Sequence, residues 1–185
     1  MIFLKTKRLV LRSLMPQDVD TIFDYRNNEV CFRYQKGQAK DYAEIVKMIE
    51  RRRADVLSVE APFMVAVALK ETNEIIGEIV VKPKGDTIEL GYTFSYRYHR
   101  CGYAFEALTA LIAQLHQMAP DRAFISFVEP QNIASMRLLQ KLGYRDMGYV
   151  PEIESQMFGK WTKADEEKKR DGIEKEGARI TGEKG

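Results

Sequence analysis

The chain has 185 residues, 45% hydrophobic and 30% charged, the size and balance of one soluble domain with a sizeable core. Its 29 basic and 27 acidic residues leave a formal charge of +2, too near neutral for a nucleic-acid coat. Two cysteines far apart and two histidines exclude a disulfide framework and a zinc pattern, and no apolar run approaches the roughly 20 residues that span a bilayer. Met1 to Lys5 is too short and too soon charged for a signal peptide. The expectation is a cytoplasmic, metal-free protein with no membrane or nucleic-acid partner.

The elements follow in order. Arg8 to Ser13 alternates polar and apolar residues, as a half-buried strand does. Pro16 opens a helical run, with proline at its start and acids early. Asp41 caps a second helix to Arg53, with Tyr42, Ile45, Val46 and Ile49 at helical spacing. Three strands then form an antiparallel meander: Phe63 to Leu69, Ile75 to Lys82 and Thr87 to Ser95. Their breaks, Glu71 to Glu74 and Pro83 to Asp86, have hairpin composition. A long helix, Tyr103 to Met118, carries Leu108, Leu111, Ile112 and Leu115 on one stripe. Ala123 to Val128 is a strand of β-formers, and Ile133 to Leu142 a helix closed by Gly143. Tyr144 to Tyr149 and Gln156 to Trp161 are the last strands. A mixed sheet covered by helices in one α/β (α+β) domain, residues 1–161, accounts for this order. The tail, residues 162–185, holds seven basic and seven acidic residues and only two large aliphatics, Ile173 and Ile180. Such a segment buries too little to offset its ordering entropy, so a solvated helix or frayed end is expected.

The chemistry concentrates where the third meander strand meets the long helix. A short loop with Arg97, His99, Arg100 and Cys101 leads to Gly102, and the helix starts at Tyr103. The first N–H groups of a helix lack internal partners and, with the helix dipole, favour an anion. Gly102 removes a side chain where a phosphate would press on the backbone, and Arg100 adds a bidentate donor. These features mark a phosphate or pyrophosphate site on the amides from Arg100 to Ala104. There is no GxxxxGK[ST] or GxGxxG to support a P-loop or Rossmann site.

Here the residues carry a resemblance. GYTFSYRYHRCGYAFEAL resembles motif A of the GNAT acyltransferases, and VEPQNIASMRLLQKLGYRDMG resembles their motif B. The opening TKRLVLRSLMPQDVDTIFDYRNN is similar to the branch that includes ribosomal-protein N-terminal acetyltransferases. The matches stand in order and, with the strands between them, span about residues 5 to 161. The resemblance implies a mixed, mostly antiparallel sheet splayed open between the strand ending near Ser95 and the strand 123–128. Acetyl-coenzyme A would lie in the opening. Its pantetheine would pair with main chain near Phe94, and its pyrophosphate would sit on the loop amides of His99, Arg100, Cys101, Gly102, Tyr103 and Ala104. Asn132 would contact the pantetheine arm, and Ser135 would lie near the thiol.

Two departures from the family pattern stand out. His99 occupies a loop position usually Gln or Arg, and Arg100 replaces a frequent glycine, where it aids phosphate binding by charge or hinders it by bulk. Leu139 stands seven residues after Asn132 where many members place a tyrosine acid, so another group must protonate the leaving thiolate. Amine acetylation also needs a proton acceptor. Glu89, on the polar face of the strand that feeds the loop, is the candidate base, with an ion-paired surface carboxylate as the alternative. Backbone N–H groups of the splayed strand would polarise the thioester, and transfer would be direct, without an acyl-enzyme. The implied function is N-acetylation of a primary amine, a protein or peptide N-terminus first. A small-molecule amine such as an antibiotic or polyamine, or a non-catalytic coenzyme A sensor or interaction module, remains open, as does a homodimer.

Overall fold

The computed structural model describes residues 1–161. The tail expectation concerns residues outside that range. Eight strands form one sheet in the order β1-β2-β3-β4-β5-β6-β8-β7. They are β1 (Ile2–Lys5), β2 (Leu9–Arg12), β3 (Phe63–Leu69), β4 (Ile75–Lys84), β5 (Thr87–Phe94), β6 (Ala123–Val128), β7 (Arg145–Val150) and β8 (Ser155–Lys160). Every neighbouring pair is antiparallel except β5 and β6. Helices α4 (Tyr103–Met118) and α5 (Ile133–Lys141) bring Leu108, Leu111 and Leu139 into a core with Val65, Ile79 and Leu90. Helices α1 (Val19–Asn27) and α3 (Tyr42–Arg52) bring Ile22, Tyr25, Ile45 and Ile49 into a second core with Met64 and Ala66. Alternation along a strand sends neighbouring side chains to opposite faces, so Met64 and Val65 serve the two cores.

Two short elements escaped the sequence reading. β1 is a four-residue edge strand whose ends are exposed, with no alternation to read. α2 (Glu29–Phe32) is a single turn capped by Asn28, whose side chain accepts from the Val30 N–H at 3.0 Å. The Pro16 run begins as a 3₁₀ turn, Pro16–Asp18, before α1 proper. β2 is buried along its whole length rather than half-buried, because both of its faces are covered: Leu9 and Leu11 enter the first core, and Arg12 on the opposite face is covered by the start of α1. Burying Arg12 there is compensated by Asp18, which accepts from Nη1 at 2.7 Å and Nη2 at 2.8 Å. A bidentate, fully desolvated pair of this kind holds the start of α1 against β2. On the same side of the sheet, Arg26 Nε donates to Glu78 at 2.8 Å and the Tyr25 hydroxyl donates at 3.1 Å. Removing either partner would strand a buried charge, at a cost of about 3–5 kcal/mol.

The expected splay is present. β5 and β6 pair only from Thr87 with Ala123 to Glu89 with Ile125. Beyond Glu89, β5 stays paired with β4 as far as Phe94 opposite Gly77, while β6 turns away to pair with β8. The sheet therefore has an opening in its middle, bounded by the second half of β5 and the end of β6.

Candidate active site

At the head of the opening, the β5–α4 connection carries the loop that the sequence marks for an anion. A 3₁₀ turn, Tyr96–Tyr98, follows β5. Arg100 and Gly102 then take positive φ values of 62° and 79°. Gly102 is the residue before α4, and the first intrahelical bond runs from Glu106 N–H to its carbonyl at 3.1 Å. The N–H groups of Tyr103, Ala104 and Phe105 thus precede the helical ladder. A Cβ added at Gly102 would meet only the Arg8 guanidinium, at 3.6 Å. The left-handed backbone, rather than crowding within the protein, is what favours glycine there. Arg100 likewise holds a left-handed conformation, the backbone state that favours glycine.

The loop is braced by a residue the sequence reading used only as a strand start. Arg8 Nε donates to Glu106 at 2.7 Å, Nη1 donates to the Cys101 carbonyl at 3.0 Å, and the guanidinium lies 4.3 Å from the Tyr103 ring centroid. The Thr6 hydroxyl donates to the same carboxylate at 2.6 Å. Partial burial alone would raise the Glu106 pKa, but the bonds from Thr6 and Arg8 outweigh it and hold the carboxyl below its ordinary value. Glu106 lies in the first helical turn, where it would repel a phosphate. Arg8 offsets that charge and leaves the local field positive.

Along the opening, hydrogen bonding alternates. Ser95 N–H donates to Ile76 on β4 at 2.9 Å, so even-numbered residues of β5 turn their backbone groups toward β6. Their carbonyls are engaged by side chains: Leu90 by the Ser126 hydroxyl at 2.8 Å, Tyr92 by Gln35 Nε2 at 3.1 Å, and Phe94 by His99 Nε2–H at 2.9 Å and the Cys31 thiol at 3.3 Å. His99 is therefore a brace between loop and strand. The N–H groups of Tyr92 and Phe94 are what β5 can offer an added strand.

A cavity of about 90 Å³ sits in the splay, with Tyr34, Gly91, Ser126, Glu129, Asn132 and Ser135 among its walls. It has room for the acetyl end of a thioester, with the rest of a coenzyme lying along the open groove. Asn132 caps α5 by accepting from Ser135 N–H at 3.1 Å, so its Nδ2–H is what it can give a ligand. The Tyr92 hydroxyl and Ser135 Oγ meet at 2.7 Å, and burial pushes the Tyr92 phenol up to about 12. This tyrosine reaches the wall from β5. The position on α5 seven residues after Asn132 is Leu139, which is buried. Glu89 is not among the cavity walls. It stands one pleat below Gly91, across from Lys82, whose Nζ lies 2.9 Å from its carboxylate. Cys101 is exposed, and its thiol donates to the His99 carbonyl at 3.4 Å. Among the described residues no cluster has the makings of a metal site, and no helix is long and apolar enough to cross a membrane.

A sheet splayed at one parallel pair, with a glycine-led helix N-terminus at the head of the gap, defines an acyltransferase that takes its acyl group from coenzyme A. The model of the GNAT acetyltransferase domain matches residues 8–145. An uncharacterized N-acetyltransferase of Bacillus subtilis, YnaD, is 26% identical over 146 residues, 78% of this chain and 83% of its own. A GNAT-family acetyltransferase from Bacillus anthracis has the same fold, with a TM-score of 0.76 at 20% identity over 87% of this chain and 98% of its own. RimL, a ribosomal L7/L12 α-N-protein acetyltransferase solved in complex with coenzyme A, aligns with a TM-score of 0.75 at 16% identity, covering 89% of this chain and 100% of its own. The chain belongs to the GNAT family and is an acetyl-CoA-dependent N-acetyltransferase.

Proposed function

We propose that the protein acetylates the primary amine of a protein or peptide N-terminus by direct attack on the thioester. The observation that carries the reading is the opening between β5 and β6, where an acyl donor can be strand-paired while an amine enters from the opposite side. RimL, which shares the fold, acts on a protein α-amine, and this favours a peptide acceptor over a small-molecule one.

In this reading the amides of His99 to Ala104 hold the pyrophosphate, with Arg100 contributing charge at the exposed edge. The N–H groups of Tyr92 and Phe94 pair with the pantetheine or polarise the thioester carbonyl. Glu89, paired with Lys82 Nζ at 2.9 Å, accepts the amine's proton through water. The amine then attacks, the tetrahedral intermediate collapses, and the thiolate leaves. Water protonates it, and the Ser135 hydroxyl, paired with Tyr92 at 2.7 Å, stabilises the departing sulfur by hydrogen bonding. This replaces the acid that Leu139 cannot supply.

Calorimetric titration with acetyl-CoA, CoA and ATP, followed by thiol release with peptides of free N-terminus, tests the scheme. Micromolar binding of acetyl-CoA but not ATP, with turnover, is expected. Glu89→Gln should lower kcat by about 100-fold with cofactor affinity unchanged. Binding without turnover on any amine would favour the sensor reading. No binding would overturn the loop assignment.

A further inference from the structure

Among the described residues Glu129 is the only charged one on the cavity walls, which are otherwise polar-neutral or apolar, with Leu90, Phe127 and Val128 contributing hydrocarbon. An alkylammonium entering such a gap loses hydration and needs a countercharge. A primary ammonium of the chain itself stands beside Glu129. Lys36 Nζ lies 3.5 Å from Glu129 and 3.4 Å from Glu154, on the connection between β7 and β8. Lys36 is carried across the gap by the segment after α2, which Gln35 ties to the Tyr92 carbonyl at 3.1 Å. The lysine side chain is 62% exposed and Glu154 76%, so the contact is a weak one that another cation can displace.

We propose that Glu129, with Glu154, receives the ammonium of the acceptor, and that Lys36 is an internal occupant which the acceptor displaces. Resting on the acetyl-transfer reading of this cleft, the inference goes beyond it by naming the carboxylates that hold the acceptor amine. Two carboxylates at the mouth select a primary ammonium with no carboxylate beside it, such as a peptide N-terminus or an alkylamine, and repel a free α-amino acid. Glu129 then binds the amine, and Glu89 remains the proton acceptor.

The test uses the full chain with ¹³C-labelled glutamate carboxyls, titrated with n-butylammonium chloride at constant ionic strength. Zwitterionic alanine is the comparison. Butylammonium should shift the Glu129 and Glu154 signals and alanine should not. Lys36→Met should tighten butylammonium by about two- to fivefold, the worth of an exposed ion pair. Glu129→Gln should weaken it by about tenfold. Lys36→Gln serves as a second variant should methionine disturb the fold, which amide spectra report. No titration, equal shifts from alanine, unchanged affinity in both Lys36 variants, or full binding to Glu129→Gln would each overturn the proposal. Acetyl-CoA binding is measured separately on the same samples. Its loss with amine binding intact would sink the acetyl-transfer reading, and the reverse would sink the ammonium site alone.

Discussion

Replacing Arg100 by glycine should move stability and cofactor affinity in opposite directions. Arg100 holds φ at 62°, a conformation that costs an L-residue about 1–2 kcal/mol. Glycine removes that cost but gains freedom in the unfolded chain, which returns about 0.4–1 kcal/mol of the benefit. The net expectation is a gain of about 0.5–1 kcal/mol, or a Tm higher by about 1–4 °C for a chain of this size. The side chain is exposed, so its charge acts on a bound phosphate through partly screened solvent. Losing it should weaken acetyl-CoA binding by about fivefold at low salt, and the difference should shrink as ionic strength rises. Thermal denaturation and calorimetric titration of Arg100→Gly beside the parent chain read both quantities. A lower Tm would refute the strain argument. Unchanged affinity at low salt would refute the electrostatic one, and tighter binding would mean that the arginine hinders the phosphate by bulk.

The same loop yields three further expectations. Gly102→Glu should fold, at a cost of about 1 kcal/mol for the left-handed backbone, because a Cβ there meets only Arg8 at 3.6 Å; acetyl-CoA affinity should fall more than about tenfold, since the new carboxylate faces the phosphate. Glu106 has a folded-state pKa held below its ordinary value, so its contribution to stability is present above the unfolded-state pKa of about 4.3 and is lost as pH falls through the lower, folded value. Glu106→Gln should therefore cost about 1 kcal/mol at neutral pH and flatten the acid limb of the stability profile below about pH 5, measured by denaturant titration across pH. Cys101 is exposed and Cys31 buried, with its thiol pushed up chiefly by burial. Iodoacetamide should label Cys101 alone in the folded protein, and acetyl-CoA should protect it; labelling unaffected by the cofactor would move the phosphate away from this turn.

What was legible in the sequence shares one property: it is written within a few adjacent residues. The anion loop depends on backbone amides, a glycine and a helix start, so Gly102 and Tyr103 could be read in place. The meander could be read from period-two runs bounded by turn residues, and the oddity of Arg100 was visible as a departure from glycine before its backbone angle was known. β1 and α2 were missed because four residues carry no period. The side-chain chemistry was hidden for a different reason. Arg8 meets Glu106 across 98 residues, Gln35 meets Tyr92 across 57, and Tyr92 meets Ser135 across 43. None of these pairs has a local signature, since a lone arginine before a strand or a lone glutamate after one is ordinary surface composition. Glu129 acquires meaning only once β5 and β6 part beyond Glu89 and leave it, among the described residues, as the single charge on the cavity wall. In the proposed reading the donor half uses main chain, the amides of the β5–α4 loop and of Tyr92 and Phe94, whereas the acceptor half draws on side chains from the segment after α2, the end of β6 and the β7–β8 turn. The first is announced by a local motif and the second by none, so the donor could be argued from the sequence, and Glu129 and Glu154 only from where they converge with Lys36.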